Sequence, residues 1–317
     1  MKTIFIVNPS AKNQYSLSSL NHFSQTIHIP HEIFVTGHPG DVKNIVSSVV
    51  NQSPENWLLV VGVGGDGTMN SVVSGTIGFD KVVIGYIPSG SGNDFARGYN
   101  WPNNKKQAYT LIKEGLKKED FVTLDSGQFT MSSGPNGHFV NNIGIGFDAE
   151  IARKANRSSF KKWLNKWSLG QLIYPILLCK EAFTYKPFSL SIEVDGKEQV
   201  FHKVWFVTVS NQPFFGGGMK IAPQACPHDG SIDMTLVHGL SRWKLLLVFL
   251  SVFFGKHTAF NEVSTCSGTT MTIRSGQDVP VHADGDTIEE LKKGNELKVN
   301  VLPLSWKMLN RSGWQKC

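Results

Sequence analysis

The chain has 317 residues, 40% hydrophobic and 18% charged, which excludes a disordered polymer and suits two domains of ordinary size. Its 31 lysines and arginines exceed its 25 acids by six, a mild pointer to anionic partners, acidic lipid surfaces among them and nucleic acid not. The longest apolar run, Leu245 to Phe254 broken by Ser251, falls far short of the ~20 residues of a membrane span. Cys179, Cys226, Cys266 and Cys317 are too scattered for a zinc site or a disulfide framework, so free thiols in a cytosolic protein are expected.

In chain order, a first strand is expected over Lys2–Val7, too short an apolar run for a signal peptide, followed by the loop Asn8-Pro9-Ser10-Ala11-Lys12. A second strand, Glu32–Thr36, closes in Gly37-His38-Pro39-Gly40. Asp41 is placed as the cap of a helix over Val42–Val50, whose Val42, Ile45, Val46, Val49 and Val50 share a face. The run from Leu58 has the length and branching of a buried parallel strand and stops at Gly62, Gly64, Gly65 and Gly67, with Asp66 among them. Thr68–Gly75 reads as the helix that follows. Bare backbone and a helix N-terminus make a corner for anions. A carboxylate there repels phosphate unless a cation intervenes, so Asp66 points to a Mg²⁺-nucleotide; a plain structural turn is the alternative.

No Walker A loop is present, and neither kinase signature (H-R-D, D-F-G) occurs. Gly62, Gly64 and Gly67 spell a dinucleotide fingerprint, but Asp80 precedes the next strand, Val82–Ile87, where the ribose-binding acid should follow it. That strand leads into Pro88-Ser89-Gly90-Ser91-Gly92-Asn93-Asp94-Phe95-Ala96-Arg97 and a helix. Strands alternating with helices indicate an α/β domain with a largely parallel sheet, its ligands beyond the C-terminal strand ends. Near Leu124-Asp125 the texture changes. Phe139–Gly146, Phe188–Val194, Val204–Ser210, Ile232–Val237, Thr269–Arg274 and Leu297–Leu302 are short β-rich runs, with one helical excursion over Ser158–Phe183. The expected organisation is an α/β domain over 1–125, with 303–317 packing back on it, and a mostly antiparallel β-rich domain over 126–302.

Gly64-Gly65-Asp66-Gly67-Thr68 resembles the diacylglycerol kinase catalytic domain of bacterial lipid kinases, sphingosine kinases and ceramide kinases. NAD kinases carry the same string and phosphofructokinases a near variant. The second motif discriminates: Pro88 to Arg97 matches every defined position of the lipid-kinase pattern P-x-G-[ST]-x-N-D-x-A-R. Asn8 to Lys12 resembles the N-P-x-[SA]-G-[KG] loop, shortened and without its glycine. Asn141 to Ala149 is similar to F-x-N-x-x-G-x-G-x-D-A, for which a structural role in an interdomain wall is expected. Asn211 and Gly216-Gly217-Gly218-Met219 also fit, the glycines serving a lipid entrance or simply a flexible turn. Ala222-Pro223-Gln224-Ala225 with Asp229-Gly230-Ser231-Ile232-Asp233 is similar to A-P-x-A-x-x-D-G-x-[LI]-D, for which a type I′ Asp-Gly turn is the local alternative. His282-Ala283-Asp284-Gly285-Asp286 stands where the family has D-G-E, with Asp286 one methylene shorter than the Glu.

The resemblance implies an ATP-dependent lipid kinase, working in a cleft between the two domains, that transfers the γ-phosphate to a lipid hydroxyl, diacylglycerol giving phosphatidic acid. It places Asn8, Pro9, Ser10, Lys12, Thr36, Gly64, Gly65, Gly67, Thr68, Asn70, Ser89, Gly90 and Ser91 on the nucleotide, and Mg²⁺ on Asp66, Asp229 and Ile232. Asp286 is the implied general base, unless the shorter side chain serves the metal instead. Asp94 anchors its helix, orients the acceptor hydroxyl, or does both. The rival readings are a kinase of NAD or a sugar, and a nucleotide-binding regulator that has lost catalysis. Lys161-Lys162-Trp163-Leu164-Asn165-Lys166-Trp167 interleaves cations with tryptophans, and Trp243–Phe254 is a second apolar segment; each reads as a membrane contact or as a core-facing helix. A cytoplasmic protein transiently peripheral to the inner face of the membrane is expected, with a homodimer left open.

Overall fold

Unbroken runs of Val, Ile and Leu make strands buried on both faces. In the computed structural model, which describes residues 1–8, 29–38, 41–52, 54–90, 92–157 and 173–311, three such strands and a more exposed edge strand, Glu32–Val35, build the first of two units. That unit comprises Met1–Leu124 and Leu304–Cys317, and Asp125–Pro303 form the second. The strands β1 (Lys2–Val7), β2 (Glu32–Val35), β3 (Leu58–Gly64) and β4 (Val82–Pro88) pair in parallel in the order β2-β1-β3-β4. Val35, Val7, Val63 and Ile87 lie in register across the sheet, so all four chains turn into loops along one edge.

The helices of this unit are α1 (Asp41–Gln52), α2 (Asp66–Thr76), α3 (Asp94–Gly98) and α4 (Lys105–Lys118). Asp41 lies in the first turn of α1 and its Oδ2 accepts from the His38 N–H at 3.1 Å. The polar face of α4 hides it from a hydrophobicity reading, but Asn104 caps it, accepting from Lys106 N at 2.9 Å and Gln107 N at 3.3 Å. The C-terminal segment supplies a further parallel strand pairing, Met308 to Ile84 of β4. Its Trp306 packs edge-on to Tyr99, centroids 5.2 Å apart, and lies 6.0 Å from the Phe95 ring.

In the second unit the pattern changes to alternation, with one face of each strand in a core. Its elements are β5 (Phe121–Met131, begun in the first unit), β6 (Asn136–Phe139), β7 (Asn142–Gly146), α5 (Phe147–Arg157), α6 (Ile173–Glu181), β8 (Phe188–Val194) and β9 (Lys197–Ser210). Then come β10 (Phe214–Phe215), β11 (Met219–Lys220), β12 (Ile232–His238), α7 (Arg242–Val252), β13 (Val263–Gly268), β14 (Thr270–Ser275), β15 (Val281–Ala283), β16 (Asp286–Thr287) and β17 (Glu296–Leu309). The long β9 serves two sets of partners. Its first half pairs antiparallel with β8, and its second half lies between β7 and β12. Val207 and Val209 of β9 enter a core shared with Ile143, Leu190, Ile273 and Val299.

Several sequence expectations are corrected here. The strand expected over Phe139–Gly146 is interrupted, because the N–H groups of Val140, Asn141 and Asn142 turn to the Asp284 carboxylate at 2.9, 2.8 and 2.9 Å. The strand expected from Val204 begins at Lys197, and that expected over Leu297–Leu302 continues to Leu309. Of the helical excursion over Ser158–Phe183, Ile173–Glu181 is helical; the Lys161–Trp167 segment lies outside the described residues. Cys179 and Cys266 are free thiols as expected, whereas Cys226 is in a disulfide. No described helix is long and apolar enough to cross a membrane.

Candidate active site

The parallel sheet delivers Asn8, Thr36, the glycine turn and Ser89 to one edge, because each follows the last residue of its strand. Asn8 donates its N–H to Val63 O at 3.3 Å, Thr36 to Val7 O at 3.0 Å, and Ser89 to Gly64 O at 2.7 Å. The two glycine loops touch backbone to backbone. A Cβ added to Gly90 would sit 2.6 Å from the Gly65 Cα, so only glycine allows this approach. Gly65, extended at φ −106°, opens α2, and Thr68 and Met69 donate their N–H groups back to its carbonyl at 3.1 Å. Asp66 is half-buried, and its Oδ1 accepts from the Phe95 N–H at 2.8 Å, which joins the first motif to the start of α3. Asn70 faces its own helix, its Oδ1 accepting from Ser74 Oγ at 3.2 Å.

Asn93 opens α3 in the left-handed region, φ 53°, without a side-chain cap. Asp94 is buried and bound to Arg97 at 2.8 Å, and Arg97 also donates to the Gly92 carbonyl. Asp94 is thus held by Arg97 within the same short helix. Tyr86 is a component no motif pointed to. Its hydroxyl lies 3.2 Å from both Gly64 O and Asn93 Oδ1, stapling the two loops. Burial, with the charges of Asp66 and Asp94, raises its pKa well above the ordinary phenol value, so it stays a neutral donor. Ser89 is buried and its hydroxyl has no partner among the described residues, an orphan donor beside the glycine turn. Pro9, Ser10, Lys12 and Ser91 lie outside the described residues.

The second unit holds the remaining candidates. Asp284 and Gly285, at φ 49° and 87°, form the two-residue turn between β15 and β16, whose Ala283 and Asp286 face each other. Positive φ at both positions makes this the type I′ turn. Asp286 is exposed at its far side. Asp229-Gly230, read as a possible type I′ turn, is not one: only Gly230 has positive φ, and Asp229 Oδ1 accepts from Ser231 N and Oγ at 2.9 and 2.7 Å. Asp125, fully buried, holds this turn through the Gly230 N–H at 2.8 Å. Asp229 is exposed, and Ile232, fully buried, has only a main-chain carbonyl to offer a cation. Burial, reinforced by the nearby Asp229 charge, pushes the Asp233 carboxyl up to about 6. Among the described residues no group of three or more His, Cys, Asp or Glu could hold a metal ion. The donor set at Asp229 and Ile232 is nonetheless all oxygen, the kind of ligand a hard cation takes.

A narrow apolar cavity of about 70 Å³, open to solvent at its mouth, lies within this unit. It is lined by Phe206, Val237, Leu245 and Val248, and at one place by Thr208 and Asp148. Asp148 Oδ2 accepts from Thr208 Oγ1 at 3.1 Å and meets His282 Nε2 at 3.2 Å. Gly285 N donates to His282 Nδ1 at 3.3 Å, so the imidazole presents its other N–H to Asp148. The buried ring stacks on Phe215 at 4.9 Å. Gly144 makes room for this contact: a Cβ there would lie 2.0 Å from Asp148 Oδ2. Sequence reasoning gave Asp148 a wall role and His282 none. The available signal was an acid directly after the strand containing Gly144 and Gly146.

Glycine loops along the edge of a parallel sheet, together with an antiparallel unit that holds an apolar cavity, fit a two-unit kinase with an alcohol acceptor, the class shared by the similar proteins. Residues 2–124 match the diacylglycerol kinase catalytic domain, and residues 141–308 the YegS C-terminal NAD kinase beta sandwich-like domain. The chain belongs to the bacterial diacylglycerol kinase and lipid kinase family. It is 32% identical over 289 residues to YtlR of Bacillus subtilis (strain 168), a protein assigned as a lipid kinase, covering 89% of this chain and 92% of that one. It is 30% identical over 253 residues to the diacylglycerol kinase of Mycobacterium tuberculosis (strain ATCC 25618 / H37Rv), covering 80% and 77%. In fold it is similar to a diacylglycerol kinase from Bacillus anthracis str. Sterne, with a TM-score of 0.69 at 19% identity over 98% of this chain and 97% of that one. It is also similar to yeast NADH kinase, with a TM-score of 0.53 at 13% identity over 98% and 84%.

Proposed function

We propose that the protein transfers the γ-phosphoryl group of ATP to a lipid hydroxyl, diacylglycerol giving phosphatidic acid. The observation that carries this reading is the apolar cavity with Asp148 and Thr208 in its lining, which suits the first carbons of an acyl chain next to a polar head. In the α/β unit, the backbone N–H groups of the touching glycine loops and the Ser89 hydroxyl bind phosphate oxygens, and the N-terminus of α2 adds its partial charge. Asp66 there, and Asp229 with the Ile232 carbonyl in the β-rich unit, would offer oxygens to Mg²⁺, which when bound would neutralise triphosphate charge. Asp148 and Thr208 hold the acceptor's polar head. The acceptor oxygen attacks the γ-phosphorus, the bond to the bridging oxygen breaks, ADP departs, and the hydroxyl proton passes to Asp286.

The test is transfer from [γ-³²P]ATP with diacylglycerol, a sphingoid alcohol, phosphatidylglycerol and NAD offered in parallel. Label is expected in a lipid and not in NAD, with loss on the order of 10³-fold in Asp66→Asn. Asp148→Asn is expected to lower kcat/KM for the lipid about 10-fold or more with the KM for ATP unchanged. Label in NAD alone, or full activity in Asp66→Asn, overturns the assignment.

A further inference from the structure

Helix α7 is apolar on two opposite faces. Leu245, Val248, Phe249 and Val252 line the cavity. Trp243, Leu247 and Leu250, spaced i, i+4 and i+7, form a stripe on the other side that Phe254 extends in the turn after the helix, and they are 71, 64, 61 and 75% exposed. The stripe continues onto Phe183, two residues past α6, which meets Trp243 edge-on at 5.1 Å; Ile176, within α6, is also exposed. Arg242 fixes this junction, donating to Ala182 O at 2.6 Å and Tyr185 O at 3.2 Å. A continuous apolar strip of this size on a soluble surface marks a binding face.

Charge identifies the occupant. The segments 173–186 and 240–257 contain Lys180, Lys186, Arg242, Lys244 and Lys256 against one acid, Glu181, which is buried and paired with Lys154 at 2.5 Å. Lys180, Lys186 and Lys256 are exposed. Two copies meeting through this face would bring like charges together, whereas an anionic bilayer complements both the apolar stripe and its cations. We infer that the outer face of α7, with Phe183 and Ile176, docks on an anionic bilayer, so that the helix carrying the docking face also walls the cavity for the acceptor. The link to the cavity rests on the lipid-kinase reading; the docking itself does not.

The experiment is co-sedimentation of the full chain with vesicles of phosphatidylglycerol and phosphatidylcholine (1:1) or phosphatidylcholine alone, without ATP. Binding to the anionic vesicles is expected to fall at least 10-fold in Leu247→Glu/Leu250→Glu, and in the same direction in Trp243→Gln, a single exposed change that leaves the melting temperature in place. Lys180→Gln/Lys186→Gln/Lys256→Gln should abolish the preference for anionic vesicles. Phosphorylation of an acceptor dispersed in detergent micelles should stay within two-fold of wild type in Leu247→Glu/Leu250→Glu. Vesicle binding unchanged in these variants overturns the docking face even if lipid is phosphorylated. So does a wild-type dimer that becomes a monomer in Leu247→Glu/Leu250→Glu by sedimentation velocity without vesicles. Vesicle binding that depends on the stripe while no lipid is labelled sustains the docking face and removes the kinase reading.

Discussion

The Gly65–Gly90 approach sets how close the two glycine loops can come, and a single methyl group measures it. Gly90→Ala places a carbon 2.6 Å from the Gly65 Cα, against backbone that no rotamer change can move. Its expected cost is about 1–3 kcal/mol of stability, as for other overpacked sites. The larger expected effect is on nucleotide affinity, at least 10-fold by isothermal titration, because the donors of both loops shift together. The same scale shows why Tyr86 and His282 escaped a reading of the sequence. Each acts through a hydroxyl or ring nitrogen whose partners lie in other segments, Gly64 and Asn93 for the one, Asp148 and Gly285 for the other. Asp66 was legible because its glycine neighbours announce it; its bond to the Phe95 N–H was not, since nothing local to either residue encodes the contact.

Among elements, the strands with unbroken apolar runs were readable almost to the residue, β3 and β4 above all, because burial on both faces leaves one pattern. Elements with polar faces or partners far along the chain were not. Helix α4 is signalled by Asn104 more than by periodicity, and β9 extends beyond its apolar half because β8 supplies a partner for the polar half. The β8–β9 hairpin shows such a long-range device. Asp195 and Gly196 turn at φ 46° and 84°, and the Asp195 carboxylate accepts from Thr270 N at 2.9 Å and from Thr269 N and Oγ. These donors, the Thr270 N–H first, hold its pKa below the ordinary carboxylate value. Since the folded state favours the ionised form, the stabilisation is present above the unfolded pKa of ~3.9 and is lost as pH falls through the lowered folded value. Asp195→Asn, which tolerates the same backbone, is expected to melt at a lower temperature than wild type at pH 7. The two curves should converge in strong acid when followed by circular dichroism.

For the molecule as a whole, the α/β unit is assembled from two distant pieces of chain. Its last piece brings Met308 to β4, Trp306 to Tyr99, and Leu309 against Gly115, where an added Cβ would lie 2.9 Å away. Truncation after Pro303 removes a buried tryptophan, and Trp→Ala alone in such a place costs about 3–5 kcal/mol. The expected outcome is an α/β unit that no longer melts cooperatively and no longer binds ATP, read by differential scanning calorimetry with and without nucleotide. Retention of a nucleotide-dependent transition in that truncated protein would show the segment to be dispensable. The tendency of the 303–308 stretch to return was visible in its apolar residues. Its continuation of β17 across Pro303 was not, because a proline followed by Leu304 at φ 49° reads as an end.

This divided construction fixes an order of events at the ribosome. Domains ordinarily fold as they emerge, the N-terminal one first. Here Met1–Leu124 must wait until residues 304–309 are translated before it has its full complement of strands, while Asp125–Pro303 is contiguous. The unit whose translation starts first is therefore the one whose sheet is completed last.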